Sequence, residues 1–254
     1  MSTFFRDFGD GLRAMGRAME IIRVRRLWGY VLLPGLLSLA FGAGIAFLAY
    51  SVSGNLADVI SRSYPWEFGA DFVGKAAAVL SAALIIAGAL LIYKYVILIL
   101  VAPFMSPLSE KVEAYLEGKG ELNVPFSIPR AMRELVRGIR VGLRNILREI
   151  LFTIALLIAA GIPLVGLLSG VAIFVVQAYY AGFGNMDYTL ERHMGVRDSV
   201  AFVRDYRGLA VANGTVFLLL LMVPFVGLFL APSLCTVAAT VETVERLKFE
   251  RSTA

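Results

Sequence analysis

Apolar residues in this chain gather in long runs, and where charges interrupt them they recur at helical spacing. The densest pattern lies from Pro129 to Gly184. Arg130, Arg133, Arg137, Arg140, Arg144 and Arg148 recur at steps of three or four, so at about 100° per residue they share one narrow arc of a helix. Met132, Leu135, Val136, Ile139, Leu143, Ile146, Leu147 and Ile150 share the opposite arc. One side of such a helix favours hydrocarbon or protein, and the other favours water or anions.

From Ile150 to Ile162 the charges stop. That run makes about 20 Å of helix, too short for the roughly 30 Å of a bilayer's hydrocarbon core. Gly161-Ile162-Pro163-Leu164-Val165-Gly166 removes a backbone donor and adds flexible points, and a second apolar run from Leu164 to Phe183 leads back to charged sequence. The pattern predicts a helical hairpin that enters a membrane and returns on the side it came from, with Pro163 and Gly166 at its tip. It recurs over 208–241, where Val223-Pro224-Phe225-Val226-Gly227 is the breaker and Pro224 and Gly227 form the tip.

Upstream, residues 1–28 place Phe4, Phe5, Phe8, Leu12, Met15, Met19 and Ile22 on one helical stripe, the signature of an interfacial amphipathic helix. Residues 29–50 carry no charge and make about 33 Å of helix, enough to span. The run exceeds the roughly 7 to 15 residues of a signal-peptide core and is expected to stay in the mature protein. A short polar loop, 51–75, leads to a second span over 76–101. Lys94 interrupts that span between Tyr93 and Tyr95, either snorkelling among belt aromatics or carrying charge on a conducting path. The expected fold is a single membrane domain over residues 1–254, all-α, with two transmembrane helices and two Pro-broken re-entrant helical hairpins. The hairpins occupy 129–184, including the basic helix, and 208–241, and a tail occupies 242–254.

Charge orients this arrangement. Apart from Lys94 and the loop residues Arg62 and Lys75, every Lys and Arg then lies on one side, which the positive-inside rule makes cytoplasmic together with both termini. Reading each broken segment as a single span would put Arg192, Arg197, Arg204 and Arg207 outside. Composition agrees with a membrane protein: 59% hydrophobic and 17% charged residues, with mean hydropathy +0.77, against about 25% charged in soluble domains. The net charge of +5 flanks apolar spans, which fits anionic lipid and topology and argues against nucleic acid.

One Cys and one His leave no disulfide framework and predict neither a metal site nor a cofactor. No Gly-x-x-x-x-Gly-Lys-Ser/Thr loop is present, so ATP hydrolysis is not expected, and no nucleophile with a base or paired carboxylates marks an enzyme. His193 reads as a loop or interfacial residue and Cys235 as a small packing residue in an apolar arm.

Ala102-Pro103-Phe104, Leu108-Ser109-Glu110-Lys111-Val112-Glu113, the Pro-broken segments, Asp187-Tyr188 with Glu191-Arg192-His193, and Ala231-Pro232 ahead of Ala238-Ala239-Thr240 resemble the CysZ sulfate permease family. The wider superfamily includes the etoposide-induced 2.4 membrane proteins of eukaryotes. The resemblance runs over nearly the whole chain. It implies a bacterial inner-membrane homo-oligomer that passes sulfate, or a related oxyanion, inward for cysteine synthesis. In those permeases a Gly-Leu-Arg-Arg motif just before the first span, a few residues ahead of a proline, binds the anion. Here the proline is Pro34, Trp28-Gly29 stand at that spacing, and Arg25-Arg26 lie three residues earlier.

A displacement of about one turn keeps Arg25 and Arg26 at the mouth of the span. Guanidinium forks beside the amides of a helix start, here at Gly29, are moderate sites for an oxyanion that must also leave. The stripe from Arg130 to Arg148 reads as a positive vestibule or as contacts to lipid phosphates. The alternative function, suggested by the eukaryotic branch, is a non-transporting membrane scaffold or quality-control protein.

Overall fold

The computed structural model describes residues 2–37, 39–44, 47, 101, 103–120, 127–159, 163–223 and 226–253. Among them the secondary structure is helical, with no strand. In chain order the helices are α1 (Ser2–Val24), α2 (Trp28–Gly44), α3 (103–116), α4 (Ile128–Ala159), α5 (Pro163–Leu190), α6 (Val196–Asp205), α7 (Arg207–Leu221) and α8 (Val226–Thr253). The chain forms two compact units, one of Met1–Leu36 with Leu98–Ala254 and one of Leu37–Ile97. Of the second unit, residues 37, 39–44 and 47 are described, and they are helical. The expected loop 51–75, the second span 76–101 and Lys94 lie outside the described residues.

Prolines set the helix starts in the larger unit. Pro129 falls in the first turn of α4, and Pro163 is the first residue of α5, where a missing N–H removes no intrahelical bond. α4 and α5 then run antiparallel: Arg137 bonds Asp187, the Arg144 guanidinium lies over Phe183, and Phe152 shares a cleft with Val175. α7 and α8 form a second antiparallel pair, in which Asn213 donates to the Cys235 carbonyl at 2.8 Å and Phe217 packs with Ala231. A Cβ at Gly227 would overlap the Leu220 carbonyl, so the start of α8 lies tightly against the end of α7.

The two pairs join through α5 and α7. Their backbones approach so closely that a Cβ on Gly182 would overlap the carbonyl of Ala210, and one on Gly214 that of Ala178. Asn185 donates to Asn213 at 2.8 Å across the same contact. Around it lies an apolar core of Phe183, Met186, Leu190, Phe202, Val203, Leu209, Ala210 and Ala239.

Burial sorts the residues of α1 and α4. On α1 the buried positions are Asp7, Gly11, Ala14, Ala18, Ile21 and Ile22, whereas Phe5 and Leu12 of the expected stripe are exposed. Small side chains let α1 approach α7, with Gly11 against Leu209 and Ala212, while Ile22 of the stripe is buried and Met15 packs against the core. On α4, Val136, Ile139, Leu143, Leu147, Leu151 and Ile158 are exposed, and the arginine arc instead turns partly into the protein. The apolar arc wanted hydrocarbon or protein; here α5 takes the arginine side, and the apolar side is left outward.

Among the described residues no single helix is long and apolar enough to cross a membrane. The bent pair Thr3–Val24 and Trp28–Gly44 passes that test jointly, with a bend of 105° at its break.

Candidate functional site

The bend between α1 and α2 is built by a helix cap. The amide of Leu27 donates to the Ile22 carbonyl at 3.0 Å and that of Arg26 to Arg23 at 3.3 Å, the paired bonds of a Schellman cap. The same cap ends α3, where Lys119 donates to Ala114 and Gly118 to Tyr115. Gly118 supplies the left-handed conformation there with φ 72°, as the motif prefers. At the first cap the left-handed residue is Arg26, φ 53°, a conformation that costs a residue with a Cβ on the order of 1 kcal/mol. The strain falls on one of the arginines expected to hold an anion.

Both caps border one cavity of about 420 Å³. Arg25, Arg26 and Gly29 line it, so the structure brings the three expected residues together, and Tyr30, Lys111 and Tyr115 complete its polar wall. The Arg25 guanidinium lies 5.0 Å from the centre of the Tyr115 ring, and Lys111 Nζ lies 5.5 Å from that of Tyr30. Each cation therefore rests against an aromatic face. Among the described residues that line the cavity there is no carboxylate. Lys111 was not singled out from the sequence, although it lies inside the Leu108-to-Glu113 motif.

The arginine stripe divides. Arg137 donates to Asp187 from Nε at 3.1 Å and from Nη2 at 2.8 Å, and further to the Met194 carbonyl and Ser199. Arg130 is paired with Glu110 and with Glu134. Arg144 is half-buried over Phe183, while Arg133, Arg140 and Arg148 are exposed. Of the hairpin-tip residues, Pro163 begins α5, Gly166 lies in its first turn, Gly227 is buried and Pro224 lies outside the described residues.

The motifs that carried the resemblance meet in a polar knot. Arg192 donates to Glu113 at 2.6 Å and to Ser109 at 2.8 Å, and His193 Nε2 lies 2.6 Å from the other oxygen of Glu113. Ser109, Thr189 and Thr240 are fully buried with hydroxyls 2.8 and 3.0 Å apart, and Thr240 reaches the Thr236 carbonyl at 2.8 Å. One proton order satisfies the line: Arg192 to Ser109 to Thr189 to Thr240 to the Thr236 carbonyl. It ties α3, α5 and α8 together. His193 is thus a hydrogen-bond partner of Glu113 just after α5, and its Nδ1 accepts from Arg251 at 3.2 Å.

Ser106 sits between two carboxyl groups, bonding Glu134 at 3.0 Å and, more closely, Glu191. A single hydroxyl proton serves one of them at a time, so protonating a carboxyl completes the set. Burial pushes the Glu191 carboxyl up to about 7, against the opposing bond from Ser106 and the guanidinium of Arg137.

These features define an all-α protein built from two antiparallel helix pairs, with a cationic cavity at a capped helix bend and a buried polar knot beside it. The family model described as "Sulfate transporter CysZ/Etoposide-induced protein 2.4" matches residues 14–232, and the chain belongs to that family. No curated protein matches it.

Proposed function

We propose that the chain is a membrane permease for sulfate or a related oxyanion, with Arg25, Arg26 and Lys111 forming the anion site in the cavity at the α1–α2 bend. The observation that carries this reading is the cavity itself: three cations, two tyrosines and no carboxylate among the described lining residues. An oxyanion needs charge-assisted donors without a trap too deep to leave, and a partly open cleft with cations resting on aromatic rings meets both demands. Family membership supports sulfate transport in general. Supply of sulfate for cysteine biosynthesis, by a passive or gradient-driven route without ATP hydrolysis, is the finer form of the proposal.

In this reading the two antiparallel pairs are re-entrant hairpins and α2 begins the first span. The ion pairs favour it. Glu113 of α3, Arg137 of α4, Asp187 of α5, Arg192 just after it and Arg251 of α8 lie in one set of contacts, joined through Glu191 and Ser106 and away from the start of α5. Arg246 of α8 also pairs with Asp10 of α1 at 2.7 Å, which keeps the two termini together. The charged ends then share the cytoplasmic side of a bacterial inner membrane. The exposed apolar arc of α4 faces lipid or a neighbouring copy, and a homo-oligomer covers the breaker backbone that lipid cannot satisfy. Exposed Arg133, Arg140 and Arg148 remain as the screened vestibule.

Labelled sulfate flux into proteoliposomes containing this chain alone tests the proposal. Replacing Arg25 and Arg26 with Gln is expected to raise the half-saturating sulfate concentration by roughly 10-fold or more per arginine. Replacing Arg133 and Arg140 with Gln is expected to lower flux modestly, and mainly at low salt. Unchanged concentration dependence in a correctly inserted Arg25/Arg26 variant would place the site elsewhere. A wild-type chain with neither binding nor flux would favour the alternative, a non-transporting membrane scaffold.

A further inference from the structure

A second recess, of about 590 Å³, opens on the side of the α4–α5 pair away from the bend. Its walls are Phe4 and Phe5 of α1, Phe152 of α4, Val175, Val176 and Tyr179 of α5, and Val211 of α7. At one end stand three guanidinium groups, Arg148, Arg204 and Arg207. All three arginines are exposed. An adjoining recess shares Phe4, Arg204 and Arg207 and adds Asp7 and Asp205. Asp7 is engaged by Arg246 at 3.1 Å, which leaves Asp205 as the carboxylate facing these guanidinium groups.

The order of polar and apolar positions is the same on the walls that α4, α5 and α7 supply. Moving one turn from Arg148 towards the break at Pro163, α4 presents Phe152. Moving one turn from Tyr179 and Tyr180 towards the same break, α5 presents Val175 and Val176. Moving one turn from Arg207 towards the α7–α8 break, α7 presents Val211. The cleft is therefore cationic at the level of the charged helix ends and apolar towards the breaks. A free oxyanion needs no aromatic slot, and an uncharged apolar ligand needs no guanidinium rim. We propose that this cleft binds one anionic phospholipid, its phosphate held by Arg148, Arg204 and Arg207 and an acyl chain lying along Phe152, Val175 and Val211. This site is separate from the cavity at the α1–α2 bend and does not rest on the transport reading.

The test uses the full chain purified in detergent, titrated with phosphatidylglycerol and, in parallel, with phosphatidylcholine of the same acyl chains. Bound lipid is read by native mass spectrometry, and folding of each variant by its thermal melt. Phosphatidylglycerol is expected to bind at least about 10-fold more tightly than phosphatidylcholine. The triple variant Arg148→Gln/Arg204→Gln/Arg207→Gln should lose that preference, while Arg133→Gln/Arg140→Gln/Arg197→Gln, which removes three exposed cations elsewhere, should keep it. Val175→Trp, which fills the slot and leaves every charge, should weaken phosphatidylglycerol by about 10-fold. Equal loss in the two triple variants would mean that net charge alone attracts lipid. An unchanged Val175→Trp would mean that no chain enters the slot, and competition by millimolar sulfate beyond that of chloride at equal ionic strength would mean a free-anion site. Each of these overturns the proposal. If the triple variant does not fold, the headgroup comparison on the wild type and the Val175→Trp titration decide it.

Discussion

Arg137 holds Asp187 with two parallel N–H bonds, from Nε at 3.1 Å and Nη2 at 2.8 Å, across the α4–α5 pair. Both side chains are largely buried, and two further donors of the guanidinium reach the Met194 carbonyl and Ser199. The basic stripe is therefore not six equivalent charges. Removing one partner of a buried pair leaves the other unsatisfied, which costs about 3 to 5 kcal/mol. Arg137→Gln is expected to lower the detergent-solubilised melting temperature strongly, and Arg133→Gln to change stability by no more than about 0.5 kcal/mol. A double-mutant cycle with Asp187→Asn measures the coupling; a cycle that closes near zero would remove the pair from the fold's supports.

Glycine substitutions separate close approach from helix propensity. A Cβ on Gly214 would overlap the Ala178 carbonyl, whereas one on Gly170, in the same bundle, meets nothing within 4 Å. Gly214→Ala should force α5 and α7 apart and cost about 1 to 3 kcal/mol or more. Gly170→Ala should gain up to about 1 kcal/mol by restricting the unfolded chain. Thermal melts of the two variants side by side give the comparison, and equal shifts would contradict the crossing geometry.

Periodicity made the helices legible, because apolar positions and charges recur at helical spacing and Pro163 marks the start of α5. It identified the arc of α4 that carries arginine, but assigned that arc to water and anions. Nothing in a single helix says that Asp187, fifty residues away, will reach it. The polar knot was hidden for the same reason: Ser109, Thr189 and Thr240 are unremarkable in their own segments, and their meaning comes only from being within 3.0 Å of one another. Arg25, Arg26 and Gly29 were singled out beside the motif of the resemblance, and they line one cavity because they follow closely around the α1 cap. Lys111, which joins them across the cavity, was not singled out.

The carboxyl of Glu191 gives stability a pH dependence. Its folded value, about 7, lies above its ordinary 4.5, and burial is the largest cause. A group raised in the folded state favours folding most fully below its unfolded value, and that contribution is lost as pH rises through the folded one. Stability should therefore fall between about pH 5 and pH 8, by about 3 kcal/mol at most from this group. Glu242, also raised to about 7 by burial, adds a slope of the same sign. Glu191→Gln keeps the bond with Ser106 in neutral form and should flatten part of the slope of melting temperature against pH. A variant with the wild-type slope would assign the whole effect to Glu242 or to other groups.

Topology is the last and most exposed expectation. If the two broken helix pairs re-enter the membrane, the segment joining α5 and α6 lies on the same side as the termini, and only the loop 51–75 lies opposite. Asn185 is a poor reporter because it is fully buried against Asn213. Asp198 is a good one: it is exposed in the first turn of α6, close behind the Arg137 contacts with Met194 and Ser199. With Cys235 replaced by Ala, cysteines introduced singly at Ser63 and at Asp198 are treated with an impermeant thiol reagent on intact cells and on inverted vesicles. Ser63→Cys should react from outside the cell and Asp198→Cys only in the inverted vesicles. The positive-inside rule favours this result, since Arg192, Arg197, Arg204 and Arg207 would otherwise be translocated together. The ion pairs favour it independently, because Asp187 is bound to Arg137 and Arg192 to Glu113, and each travels with its partner. Efficient labelling of Asp198→Cys from outside would mean that α4 and α5 do not return to one side, and the re-entrant arrangement would have to be abandoned.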